Sequence, residues 1–161
     1  MVFLDVIVHA ITENISNISV KENFEWMFKL KCTQCYTDQP NEITLSDKEQ
    51  FEMAKGKGLT NFLMKCKDCS NLLSITIYEK STKRINCENG NDEATLCTFE
   101  CRGCEIYSWN PCEGIIVEST EGTIFNDVDI RTGEWTDWDE KAKVFSTLIS
   151  LDHRIEKNKN L

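Results

Sequence analysis

Histidine is almost missing from this chain. Only His9 and His153 are present, and both fall on strand-like patterns. A cysteine–histidine nucleophilic pair therefore has little material to be built from. No glycine-rich loop of the kind that cradles phosphates occurs. No apolar run approaches the length needed to cross a bilayer. The stretch from Met1 to Ile11 alternates and carries Asp5 and His9, where a secretory segment needs an unbroken apolar core. Positive charge is in deficit: 18 Lys and Arg stand against 27 Asp and Glu, a formal net charge of −9. That balance argues against nucleic acid, which needs a basic face to replace phosphate counterions, and against an anionic membrane leaflet.

Cysteine is what the chain has in quantity, nine in all. The odd count and the lack of a secretory segment point to reduced thiols inside the cell. The expected compartment is the cytoplasm, or the nucleus, which a chain this size needs no strong signal to enter. Four thiols fall in two knuckles, Cys32-Thr33-Gln34-Cys35 and Cys66-Lys67-Asp68-Cys69. Two cysteines separated by two residues can place both sulfurs on one ion, and a second pair completes a tetrahedron around one structural Zn²⁺. Cys32, Cys35, Cys66 and Cys69 are the expected metal ligands. Four thiolates leave such a site at a net charge of about −2, which Lys29, Lys31, Lys65 and Lys67 would offset. A closed four-sulfur set leaves no position for water, so the site is not expected to be catalytic.

Most of the remaining chain reads as strand. Residues 2–12 alternate, with Leu4, Val6, Val8 and Ala10 on one face, and 12–17 is a turn-rich break. In 23–32 Phe24, Trp26, Phe28 and Leu30 share a face with Cys32, so the strand delivers this cysteine to the core side. Ser46-Asp47-Lys48-Glu49 has the form of a capping box and predicts one helical turn or a loop. Residues 60–66 run into the second knuckle and 72–78 lead out of it. Residues 80–91 are polar, and a lobe boundary is placed near 86–93. Strands are expected again at 94–101, 106–109, 115–117 and 123–125. Residues 144–155 alternate with Phe145, Thr147, Ile149, Leu151, His153 and Ile155 on one face, a strand with a helix as the alternative. The fold class is all-β: antiparallel strands in one zinc-stapled domain over 1–161, with two pseudo-repeated lobes as a further reading.

Two other features call for chemistry. Cys101-Arg102-Gly103-Cys104 is a third CxxC, in which Arg102 could lower a thiol pKa and make a redox or soft-metal pair. The plainer reading is a reduced structural turn with Cys101 packed inward. Cys87, Cys97 and Cys112 are expected to be free thiols. The acidic run Asp127, Asp129, Glu134, Asp137, Asp139 and Glu140 lacks the glycine and terminal glutamate of a calcium loop. It reads as a solvated face or a surface for a basic partner, with Trp135 and Trp138 as a partner-binding edge or as core cover.

Taken in order, a set of motifs resembles a family. They are Thr12-Glu13-Asn14-Ile15, Phe24-Glu25-Trp26 leading into Cys32 and Cys35, the 58–62 approach to Met64-Lys65-Cys66-Lys67-Asp68-Cys69, Phe99-Glu100-Cys101-Arg102-Gly103, Trp109-Asn110-Pro111 and Trp135-Thr136-Asp137-Trp138-Asp139-Glu140. Together they resemble the eukaryotic CXXC motif containing zinc binding proteins (DUF866, UPF0587). The resemblance implies an all-β zinc protein without established catalysis, with its ligands at Cys32, Cys35, Cys66 and Cys69. Cys104 and Trp138 depart from the family pattern, and neither touches those positions. The function expected is a non-enzymatic, monomeric interaction module for another protein. The alternatives are a thiol-disulfide or methionine-sulfoxide-type reductase, or a Cu(I)-handling protein, using Cys101 and Cys104.

Overall fold

A computed structural model describes residues 1–54, 56, 58–111 and 113–161, which leaves Cys112 and its expected free thiol outside the described residues. The chain is all-β, and no helix occurs among the described residues. Fifteen strands follow in order: β1 (Val2–Glu13), β2 (Ile15–Val20), β3 (Trp26–Cys32), β4 (Ile43–Leu45), β5 (Phe51–Glu52), β6 (Leu59–Thr60), β7 (Phe62–Lys65), β8 (Leu72–Ile77), β9 (Ile85–Asn86), β10 (Asn91–Arg102), β11 (Cys104–Trp109), β12 (Ile115–Ser119), β13 (Ile124–Phe125), β14 (Trp135–Asp139) and β15 (Val144–Lys157).

A six-stranded sheet in the order β14-β15-β1-β10-β8-β7 is the backbone of the molecule. A three-stranded sheet, β11-β3-β4, and a four-stranded one, β13-β12-β2-β9, accompany it, with the short pair β5-β6. Every paired ladder is antiparallel. β1 lies between β15 and β10, and its inward face of Leu4, Val6, Val8 and Ala10 is buried as the alternation predicts.

The core is aromatic where β3 packs on β10. Trp26, Phe28, Phe99 and Trp109 are all buried. Phe99 meets Trp26 edge-on at 5.0 Å and Phe28 at 4.9 Å. Such contacts add about 0.5–1.5 kcal/mol per pair beyond area burial. The face of β3 that carries these rings ends in Cys32, so packing of the aromatics sets where the first knuckle begins.

Three local readings differ from the structure. The break expected at 12–17 is a single residue: Asn14 takes φ 59°, its side chain donates to the Phe145 carbonyl at 2.9 Å, and β2 starts at once. Asparagine tolerates this left-handed backbone, so no longer turn is needed. Of the two readings of the capping-box segment, the loop is what forms: the Glu49 N–H donates to the Ser46 carbonyl at 3.3 Å and the chain turns once. The polar 80–91 segment hides β9, whose Ile85 is buried against β2, with Cys87 buried next to it. The single face expected for 144–155 is interrupted by a bulge at Ile149, where Leu148 pairs with Thr12 and Ser150 with Ile11. Leu148 and Leu151 therefore both point inward while Phe145 points out.

Asp139 is the charged residue that the acidic run conceals. It is fully buried at the end of β14. Thr123 Oγ1 donates to it at 2.6 Å, and the N–H groups of Lys141 and Ala142 at 3.1 and 3.3 Å. Hydrogen bonds from Ser119 and then Thr123 hold its carboxyl below the usual range. It ties the β14–β15 turn to the end of β12 and to the β12–β13 turn.

Two outcomes are expected. Phe99→Ala should cost about 3–5 kcal/mol in denaturant unfolding. Asp139→Asn should lower the melting temperature above the usual aspartate pKa of about 4. Because the folded pKa is depressed, the wild-type advantage is present above that value and shrinks as pH falls through the folded pKa. Melting curves of both chains between pH 7 and pH 3 check this.

Candidate metal centre

Each knuckle is built by the same backbone turn. The N–H of Cys32 donates to the Thr37 carbonyl at 3.0 Å, and that of Cys66 to the Asn71 carbonyl at 2.8 Å, five residues on in both cases. The residue after the second cysteine is left-handed in each: Tyr36 at φ 60° and Ser70 at φ 61°. This turn folds the chain around the sulfur of the first cysteine and aims backbone N–H groups at it. At Cys66 the N–H groups of Cys69 and Asp68 lower the thiol pKa to about 6. At Cys32 burial opposes ionisation, but the N–H groups of Cys35 and Gln34 outweigh it and the pKa falls.

The four sulfurs of Cys32, Cys35, Cys66 and Cys69 all lie within 4.8 Å of one another. Cys32 to Cys69 and Cys35 to Cys66 are both 3.6 Å. A tetrahedral zinc with Zn–S of about 2.3 Å needs sulfurs about 3.8 Å apart, so the donors fit the ion in number, chemistry and spacing. Without a dication the set resists full ionisation: although the Asn71 N–H favours its thiolate, burial and the neighbouring sulfurs push Cys69 up to about 12. A dication at the centre reverses that opposition.

Side chains that the motif does not reveal orient the sulfurs. Gln39 Nε2 donates to Cys66 Sγ at 3.3 Å, while its Oε1 accepts the Lys67 N–H at 3.4 Å. Asn71 Nδ2 reaches Cys32 Sγ at 3.8 Å and the Gly103 carbonyl at 3.3 Å. Each bridges one knuckle to the other or to the strand behind. Their only sequence signal is position, a few residues past a CxxC. Of the flanking lysines, Lys31 lies over the Tyr36 ring at 5.9 Å.

The third CxxC lies behind the metal centre. Cys104 pairs with Cys32 across β11 and β3, and the Thr33 N–H donates to the Gly103 carbonyl at 3.0 Å. Gly103 takes φ +75°, and a Cβ there would stand 2.3 Å from the Leu72 carbonyl. Cys101 and Cys104 are both buried, and Arg102 points away to Glu100 at 2.9 Å. The expected lowering of a thiol pKa by Arg102 is not found: hydrogen bonding with Cys104 and burial drive Cys101 strongly upward. Cys87 and Cys97 are buried free thiols too. The histidines are engaged elsewhere, His9 with Asn91 at 2.6 Å and His153 against the Trp109 ring at 5.1 Å.

Comparison with known proteins places this geometry. The family model described as CXXC motif containing zinc binding protein, eukaryotic, matches residues 5–156. The chain belongs to this family. The human CXXC motif containing zinc binding protein is 35% identical over 152 residues, covering 92% of this chain and 94% of the relative. The structure titled "Crystal Structure of C1orf123" superimposes with a TM-score of 0.91 at 30% identity, over 97% of this chain and 99% of that one. A hypothetical protein from Plasmodium falciparum shares the fold, with a TM-score of 0.88 at 22% identity, covering 97% of this chain and 100% of the other. This is a zinc-binding family, and Cys32, Cys35, Cys66 and Cys69 suit one zinc ion.

Three measurements follow. Asn71→Ala and Gln39→Ala should each weaken zinc binding by about 10–100-fold in a chelator competition. Gly103→Ala should do the same without touching a sulfur, because the Leu72 carbonyl must give way. Since thiols must be deprotonated to bind, zinc should be released as pH falls, read by a zinc-sensitive dye.

Proposed function

We propose that the chain is a non-enzymatic zinc protein whose single, structural zinc, held by Cys32, Cys35, Cys66 and Cys69, supports a β-body that serves as an interaction module for another protein. It works as a monomer in the cytoplasm or nucleus. The observation that carries this reading is the closed ligand set. All four donors are sulfurs, packed within 4.8 Å of one another, and zinc so held has no free position for water or substrate. Metal binding at such a site contributes about 10–16 kcal/mol of apparent folding free energy, enough to make the body metal-dependent.

A reductase or Cu(I)-handling role at Cys101 and Cys104 has less support. Both sulfurs are buried and the Cys101 thiol is disfavoured as a thiolate, the opposite of what an attacking or metal-capturing pair needs.

Native mass spectrometry of the chain purified without added metal should show one zinc, and all nine thiols should titrate after denaturation with a chelator. Cys66→Ser should unfold the knuckle region; a Cys66→Ser chain that melts like wild type would remove the structural role. For the module itself, a photo-cross-linker scanned over exposed positions in cells should give discrete adducts with another protein, lost in Cys66→Ser. No discrete adduct at any position would sink the interaction reading.

A further inference from the structure

β14 closes one side of the six-stranded sheet, with β15 as its neighbour. Thr136, Asp137 and Trp138 are exposed in succession. Side chains alternate between faces along a strand, so this run leaves both faces of the ribbon and its outer border open to solvent. Across the ladder Trp138 opposes Phe145, and the rings meet edge-on at 5.1 Å. Trp138 is 41% exposed and Phe145 56%, an aromatic platform at the rim of a sheet. The Trp138 Nε1–H donates to Glu140 Oε2 at 2.8 Å and steadies the ring. On the same face the Thr136 and Thr147 hydroxyls meet at 3.0 Å.

The backbone N–H of Trp138 is bound by the side chain of the preceding residue, Asp137 Oδ1, at 2.8 Å. An N–H taken by its neighbour's carboxylate points outward, away from the ladder with β15. Local acids, Glu134, Asp137 and Glu140, set the sign of the border. Arg131 is paired to Asp129 at 2.7 Å and Lys143 to Glu140, while Lys141 lies past the end of β14 in the turn. A second copy of this chain is a poor occupant, because edge-to-edge pairing would bring two sets of these carboxylates together. A basic strand is a good one.

We propose that the outer border of β14 is the docking edge of the interaction module, and that it takes an extended partner segment with alternating basic and apolar residues. This rests on the interaction reading above and names its site and partner chemistry. The segment adds as a further strand, its main chain bonding to Thr136 and Trp138. Its apolar residues lie on Trp138 and Phe145. Its ammonium or guanidinium groups fall on the opposite face, where Asp137 lies. The Asp137 side chain guards the edge until a main-chain acceptor replaces it.

The test uses the full zinc-loaded chain, labelled with ¹⁵N, and two synthetic eight-residue peptides, one repeating Lys-Val and one Glu-Val. The Lys-Val peptide should shift amides of β14 and the facing part of β15, with at least about tenfold tighter binding than the Glu-Val peptide. Asp137→Lys and Trp138→Ala should each weaken it by about tenfold, with zinc content and melting unchanged. Equal binding of both peptides, no shift with either, or binding insensitive to both substitutions overturns the proposal. Saturable shifts confined to another face overturn this site but leave the interaction reading standing, which the cross-linking scan tests by itself. Concentration-dependent dimerisation that broadens the same amides would assign the edge to a second copy and also overturn it.

Discussion

Four sulfurs must sit close enough to share one ion, and four thiolates at that distance repel one another. The arrangement of the rest of the molecule depends on that conflict. At 3.6 Å the like-charge cost is several kcal/mol per pair even at an effective dielectric of 20. Backbone N–H groups relieve part of it at Cys32 and Cys66, the first cysteine of each knuckle. They leave Cys69 reluctant to ionise. The remainder has to come from a dication. The left-handed residues at Tyr36 and Ser70 serve this end, doubling the chain back so that N–H groups aim at a sulfur. It is also why strands of two different sheets, β3 and β7, end at the same place.

The metal centre was largely legible in the sequence because its signal is local. CxxC fixes sulfur spacing within four residues, and the alternation of Phe24, Trp26, Phe28 and Leu30 fixes the face on which Cys32 emerges. The family resemblance adds the same four positions, and the all-β class follows from alternation that most long strands keep. What stayed hidden depends on contacts between distant segments. Gln39 and Asn71 look like ordinary turn residues until the fold brings them to Cys66 and Cys32. The bulge at Ile149 follows from the pairing with β1, and nothing within 144–155 announces it. Asp139 is indistinguishable in sequence from the exposed acids around it; its burial comes with Ser119 on β12 and Thr123 in the turn that follows.

The third CxxC shows how one motif can serve different ends. In the two knuckles the intervening turn presents sulfurs to one another. At Cys101 and Cys104 the turn instead presents a carbonyl, that of Gly103, to Thr33 and Asn71. Both thiols fill core space, Cys104 opposite Cys32, and the glycine clears room for Leu72. The motif is thus a wall behind the metal site. The acidic segment divides in a similar way: one carboxylate is locked inside as a brace, while its neighbours remain at a wet, aromatic edge.

The position of β1 sets an order of assembly. It is the first of the fifteen strands, yet one of its partners, β15, is the fifteenth, with Leu4 opposite Lys157. Its other partner, β10, is also remote in sequence. Closing loops of that length is entropically expensive and slow. The metal knuckles, by contrast, lie within residues 32–71, a compact stretch that can close while most of the large sheet is still unmade. The knuckles can thus meet over a short stretch of chain, while β1 reaches its place only when segments remote in sequence come together, and the wall that Gly103 adds behind the ion comes with them.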